Sequence, residues 1–263
     1  MILRLLITLV ATLSIGCASA PLDHTQRARQ PARAAVTSPV PQSAAPASVL
    51  PNVKGSVKFL VIGDSGTGGS AQYQLAEQMG RAYDRFPFEF AIMLGDNLYG
   101  SEDPSDYADK FEKPYRKLLD AGVKFYASLG NHDEPAQRFY EPFNMDGKRY
   151  YKFERGDVAF FVLDSTYMPP AQMEWLQKEL EGNGKKWKIS YFHHPIYSSG
   201  ARHGSEMDLR TLVEPLFLEN GVDVVFAGHE HFYERLKPQQ GIHYFIQGGA
   251  AKLRRGNLRN NSP

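Results

Sequence analysis

A layered α/β domain is the fold class that this 263-residue sequence predicts, and three observations carry the prediction. From residue 53 onward, short apolar runs alternate with amphipathic helical stretches. Five of the apolar runs lead into a cluster of polar side chains, most of them behind a glycine. The composition, 42% hydrophobic and 22% charged, is that of an ordinary globular chain and excludes a fibre or wholesale disorder.

Residues 57–62 read as a buried strand running into Gly63-Asp64, after which Ser70 caps a helix to about residue 81. Residues 90–94 form a second strand, ending at Gly95-Asp96. A helix over 107–119 precedes a third strand, 125–129, which leads into Gly130-Asn131-His132-Asp133. Residues 150–154 and 158–163 pair as a hairpin about Arg155-Gly156-Asp157, and a helix spans 171–180. The strand 187–192 leads to His193-His194-Pro195, and 222–226 leads through Ala227 to Gly228-His229-Glu230-His231. His243 falls in a further strand and reads as structural. Loops at the carboxyl ends of α/β strands converge over one crevice, so these polar clusters are expected to meet.

The N-terminal part has a different character. Residues 1–20 read as an export signal, with Arg4 as the charge and an apolar run over 5–15 that is too short for a bilayer, which takes about 20 residues. Ala18-Ser19-Ala20 resembles an ordinary cleavage site, but Pro21 argues against it. Ser14-Ile15-Gly16-Cys17 resembles a bacterial lipoprotein box, although Ser14 stands where that pattern usually has Leu. The expectation is a lipoprotein acylated at Cys17, exported to the periplasm or anchored to the outer membrane, and Cys17→Ser would then leave the membrane fraction. Residues 21–52 are rich in Pro, Ala, Ser and Gln and read as a disordered tether, with His24 inside it. Residues 53–263 form the folded domain.

Lys plus Arg number 30 against 29 for Asp plus Glu, a net charge of +1 that does not supply the field of a nucleic-acid binder. Cys17 is the only cysteine, so no intramolecular disulfide forms, and the cysteine-rich structural zinc sites are excluded from residues 53–263.

Singly, an Asp after a strand is more often a turn former or cap, and a lone His more often a surface or hydrogen-bonded core residue. Together, Asp64, Asp96, Asn131, His193, His229 and His231 all follow predicted strands. Two carboxylates, an amide oxygen, three imidazoles and a phenol, Tyr99, are more hard and borderline donors than one metal accepts, which favours two metals and catalysis.

Gly63-Asp64-Ser65-Gly66, Gly95-Asp96-Asn97-Leu98-Tyr99, Gly130-Asn131-His132-Asp133, His193-His194-Pro195 and Gly228-His229-Glu230-His231 resemble the five ordered motifs of calcineurin-like metallophosphoesterases. Most of that superfamily has Asp-x-His in the first motif. Here Gly66 stands at the His position and Tyr99 follows Asp96 by three residues, a variant similar to purple acid phosphatases, particularly the small tartrate-resistant type. The resemblance runs from about residue 58 to residue 249.

It implies a four-layer α/β (α+β) fold, a central β-sandwich flanked by helices, with a dinuclear metal site at the strand ends. It further implies that Asp64, Tyr99 and His231 bind Fe(III), that Asp96 bridges, and that Asn131, His193 and His229 bind Fe(II), Zn(II) or Mn(II). Hydrolysis of phosphate monoesters at acid pH, by in-line attack of metal-bound hydroxide, is the implied reaction. His132 and His203 are the implied acids beside the substrate, His203 by likeness to the family's loop histidine. Strand alternation points His194 away from His193, and the small phosphatases often have Tyr there. A phosphodiesterase or nuclease of the same superfamily, and a non-catalytic metal- or phosphate-binding protein, are the alternative classes.

After His243 the family usually continues with further strands, so either this sandwich is trimmed or the sequence is a fragment. The basic tail through Arg254-Arg255-Gly256-Asn257 is expected to leave a strand edge open to pairing with another chain.

Overall fold

A computed structural model describes residues 52–259. The export signal, Cys17, His24 and the tether up to residue 51 lie outside the described residues.

Nine strands, β1 (Phe59–Ile62), β2 (Phe90–Leu94), β3 (Lys124–Ser128), β4 (Tyr151–Arg155), β5 (Val158–Val162), β6 (Trp187–Phe192), β7 (Val224–Ala227), β8 (Tyr233–Arg235) and β9 (His243–Gln247), form two sheets. The smaller has the order β1-β2-β3 and is wholly parallel. The larger has the order β4-β5-β6-β7-β9-β8; β5, β6, β7 and β9 run parallel, and β4 and β8 are antiparallel edges. Among the described residues, five α-helices accompany them: α1 (Ser70–Arg85), α2 (Pro104–Tyr107), α3 (Arg116–Asp120), α4 (Pro170–Leu180) and α5 (Met207–Glu219).

The two sheets meet face to face through aromatic rings. Phe59 and Phe90 of the small sheet each meet Phe160 of the large one edge-on, at 5.3 and 5.4 Å between centroids, and Tyr126 stacks on Phe153 at 4.1 Å. The period-2 geometry of a strand sorts β5 between two cores. Val158, Phe160 and Val162 join the inter-sheet core, while Ala159 and Phe161 join Leu176 and Leu180 of α4 and Val213 and Phe217 of α5. Ala76 and Met79 of α1 and Leu118 of α3 pack on the small sheet. The layers are therefore helix, sheet, sheet, helix, as the sequence resemblance implies. Phe160 is fully buried between rings, and truncating such a side chain to Ala costs about 3–5 kcal/mol.

Several local expectations need correction. Ser70 is the first residue of α1 rather than its cap; Gly69 takes the N-cap without a side-chain hydrogen bond, and the helix continues to Arg85. The expected helix over 107–119 is broken into α2, a π-helical segment Ala108–Glu112, and α3. The π segment has a use. It presents Lys110, whose ammonium donates to the carbonyls of Tyr99, at 2.8 Å, and Ser101, at 2.7 Å, and so holds the loop after β2. Helix α5 has no counterpart in the sequence expectation, because Pro215 lies inside it and proline normally ends a helix. The short edge strand β8 is likewise unanticipated.

The tail also differs. It turns back over residues 199–201, with Ala201 N–H donating to Asn257 O, Arg259 N–H donating to Ser199 O, and a bridge between Gly200 and Leu258, while β8 remains an edge of the larger sheet.

Candidate metal centre

The donors sit where parallel strands of both sheets end. Asp64 follows β1 and Asp96 follows β2, each after one glycine; Asn131 lies three residues past β3. His193 directly follows β6, and His229 and His231 follow β7. Hydrogen bonds that join the sheets at this edge include His193 Nδ1 to Leu94 O, at 2.8 Å, and His229 N–H to Asp64 Oδ2, at 2.9 Å.

Asp64, Asp96 and His229 adopt positive φ, at 57°, 50° and 67°. That conformation costs a residue with a Cβ about 1–2 kcal/mol, and it turns each side chain sharply off its strand into the shared edge. Close backbone approach explains the adjoining glycine of the first motif. A Cβ at Gly66 would lie 1.7 Å from Asn97 O, so no side chain fits there while the 97–99 loop keeps this path. The same approach lets Tyr99 N–H donate to Gly66 O at 2.8 Å.

Two donor groups result. In the first, Asp64 Oδ1, the Tyr99 hydroxyl and His231 Nε2 form a triangle with sides of 3.2–3.3 Å. In the second, His193 Nε2 lies 3.0 Å from Asn131 Oδ1 and 3.1 Å from His229 Nδ1. Asp96 belongs to both: it lies within 4.8 Å of the Asp64 and His231 donors, and its Oδ1 is 3.4 Å from His193 Nε2. Leu94 O can only accept, so His193 carries its proton on Nδ1 and turns the Nε2 lone pair into the second group.

The electrostatics match a site built for cations. Complete burial, with Asp96 nearby, pushes Asp64 up to about 8 against the opposing influence of His193 and the hydrogen bond from His229. Burial also acts to raise Asp96, but His193, Tyr99 and His132 outweigh it and hold that carboxyl below its usual range. Burial and both carboxylates drive the Tyr99 phenol far upward. Burial and neighbouring imidazoles push His229 down to about 2, and burial and Arg254 push His231 down to about 4. Three imidazoles, an amide oxygen, two carboxylates and a phenol at these separations fit a pair of metal ions, hard oxygen donors on one side and softer nitrogen and amide donors on the other.

All seven sequence-predicted ligand positions are thus brought together. Of the two predicted acids, His132 is exposed, its ring 4.9 Å from that of Tyr99 and its backbone N–H donating to Asp96 Oδ1. His203 lies 4.2 Å from the His229 ring, but Arg254 Nη1 sits 3.1 Å from its Nε2. Partial desolvation, with Arg254 and Arg202 nearby, lowers His203 against the pull of Glu230, which disfavours the imidazolium expected of an acid.

The expectation for His194 is overturned. Strand β6 ends at Phe192, so alternation no longer governs residue 194. The Ser165 hydroxyl accepts its N–H at 3.0 Å and pairs with Nδ1 at 2.9 Å, and the ring turns back to 4.5 Å from His229 and 4.8 Å from His193.

Two structural carboxylates, half-buried Asp133 and buried Glu230, escaped the sequence reading although both lie inside its motifs. Asp133 accepts from Gly130 N–H and Asn97 Nδ2 with one oxygen and from Leu98 N–H and Gln137 Nε2 with the other, tying the β2 and β3 loops together. Burial and Asp96 raise its pKa well above the ordinary value. Glu230 does the same for the His203 loop and the tail.

Residues 57–233 match the calcineurin-like phosphoesterase family. Among curated proteins, the chain is 28% identical over 241 residues to purple acid phosphatase 17 of Arabidopsis thaliana, covering 78% of this chain and 71% of that one. It is 27% identical over 236 residues to tartrate-resistant acid phosphatase type 5 of Mus musculus, with 73% and 72% covered. A solved purple acid phosphatase from yellow lupin (Lupinus luteus) seeds superposes with a TM-score of 0.64 at 18% identity over 79% of this chain, which spans 46% of that structure. Fold and sequence therefore agree: this chain belongs to the calcineurin-like phosphoesterase family, as a metallophosphoesterase whose homologues include purple and tartrate-resistant acid phosphatases.

Proposed function

We propose that the protein hydrolyses phosphate monoesters at acid pH with a dinuclear centre, Fe(III) held by Asp64, Tyr99 and His231 and a divalent Fe, Zn or Mn held by Asn131, His193 and His229, with Asp96 shared. The observation that carries this reading is the position of Asp96, within ligand distance of both donor groups. Two cations so placed would supply Lewis acidity, lower the pKa of water and neutralise phosphate charge.

The chain's own residues do the rest. His132, exposed beside Tyr99, is placed to give a proton to the leaving oxygen. His203, its Nε2 paired with Arg254, orients a phosphate oxygen. Lys110, Asp133 and Glu230 hold the three loops that carry these groups, so that the reacting phosphate meets a preorganised set of donors.

The test is metal content together with hydrolysis of 4-nitrophenyl phosphate across pH. The wild type is expected to hold roughly two metal ions per chain and to turn over fastest below neutrality. Asp96→Ala is expected to hold at most one ion weakly, because loss of the shared carboxylate uncovers the repulsion between the cations. Full occupancy with normal turnover in that variant would refute the assignment.

A further inference from the structure

Strand β4 lies on the outer edge of the larger sheet, and its antiparallel pairing sets Tyr151 level with Val162 at the carboxyl end of β5. Residues just before β4 therefore reach the same sheet edge as the donors, but two strands from β6, about 10 Å away across the sheet. Between β4 and α4 opens a cleft of about 620 Å³ whose lining includes none of the donor residues. Trp175 and Glu179, one helical turn apart, present one face of α4 to it. Lys152 meets Glu179 at 2.8 Å and ties the strand to the helix, and the Tyr150 ring lies 5.0 Å from the Trp175 ring at 52°.

The cleft is rich in hydrogen-bond donors and carries one unbalanced charge. Arg149 is matched by the buried Asp164 at 2.5 Å, Lys152 by Glu179, and Glu154, 3.7 Å from Lys152, by Lys185 at 3.2 Å. Among the described residues, the exposed Lys148 ammonium has no carboxylate within 4.0 Å. The Tyr150 hydroxyl and the Trp175 indole N–H likewise have no hydrogen-bond partner among the described residues. Two aromatic rings with unused polar ends suit a flat ligand that brings acceptor atoms. One surplus positive charge matches a monoanion, whereas a phosphate dianion would stay half-neutralised.

We propose that this cleft binds an aromatic carboxylate, its ring against Tyr150 and Trp175 and its carboxylate on Lys148, at a site separate from the donor groups. Neither metal nor phosphate takes part, so the inference stands apart from the hydrolytic reading.

The experiment titrates the full chain by calorimetry with 2-naphthoate, and with acetate and 2-naphthalenemethanol as probes that lack the ring or the charge. One saturable site per chain is expected for 2-naphthoate, with the other two binding roughly tenfold more weakly. The same affinity is expected after chelation of metals and in excess orthophosphate. Trp175→Ala is expected to raise Kd about tenfold, and Trp175→Phe, which keeps a ring, about twofold. Lys148→Glu, at an exposed position, is expected to raise Kd about fivefold, while Trp187→Phe, outside the cleft, leaves it unchanged. Loss of binding on chelation would place the ligand among the donors, and acetate binding as tightly would reduce the site to a surface charge; either result overturns the proposal. Wild-type affinity in Lys148→Glu, or no saturable binding of 2-naphthoate, would overturn it as well.

Discussion

Glu230 holds His203 by the backbone: its Oε1 accepts the His203 N–H at 3.1 Å and the Gly204 N–H at 2.8 Å. The carboxylate is fully buried, and its other oxygen serves Asn257. Two segments remote in sequence thus depend on one side chain between two donor residues.

Glu230→Gln replaces one acceptor oxygen by a donor facing N–H groups, so one buried amide loses its partner. The expected cost is about 1–3 kcal/mol of stability, read as a lower melting temperature. Turnover is expected to fall because His203 and Arg254 lose their placement, while metal content measured by elemental analysis stays near the wild-type value. Loss of both metals would show that Glu230 shapes the donor groups themselves.

Tyr99→Phe removes the phenol from its triangle but leaves Asp64 and His231 3.2 Å apart. Ring volume is nearly conserved, so the fold should persist. With ferric iron bound, wild type is expected to be purple from phenolate-to-metal charge transfer, and the variant to lose that visible band while keeping partial activity. An unchanged spectrum would assign Tyr99 to packing.

Metal removal exposes the titration of the donors. Burial raises Asp64 to about 8 from 3.8, so the folded form keeps a proton that the unfolded chain releases, and stability falls as pH rises through that window. Burial lowers His194, His229 and His231 to about 3, 2 and 4 from 6.5, so the unfolded chain binds protons first and stability falls as pH drops below about 6.5. Asp133, also raised, adds to the first slope. His203, also lowered, adds to the second slope, so the chelated protein is expected to lose stability both as pH rises through the carboxyl window and as it drops below about 6.5, and urea titrations from pH 4 to 8 measure both slopes. Metal uptake is expected to strengthen with pH, since Asp64 and Tyr99 must give up protons to bind.

All the strands except β8, and the donor residues, were legible because both are local: an apolar run, then a polar side chain at its end, most often behind a glycine. Residues 90–94 and 187–192 coincide with β2 and β6. Helix α5 was not, because Pro215 interrupts its local pattern and tertiary burial of Leu209, Val213 and Phe217 overrides that. The roles of Asp133 and Glu230 were invisible for a different reason. Each depends on a partner fixed only by the folded chain, Glu230 on residues 26 and 27 positions away. His194 shows the limit of periodicity, which stops where its strand stops.

The missing Cβ at residue 66 has a consequence for how such sites diversify. Asn97 O occupies the volume into which a histidine at 66 would extend, and the same loop carries Tyr99 to the donor triangle. An imidazole from the first loop and a phenol from the second are therefore rival occupants of one space rather than independent options. Gly66→His alone would collide with backbone, and Tyr99 alone would be displaced by any retreat of the loop that relieved the collision. Passing between the two ligand sets therefore requires paired changes, one at residue 66 and one in the 97–99 loop.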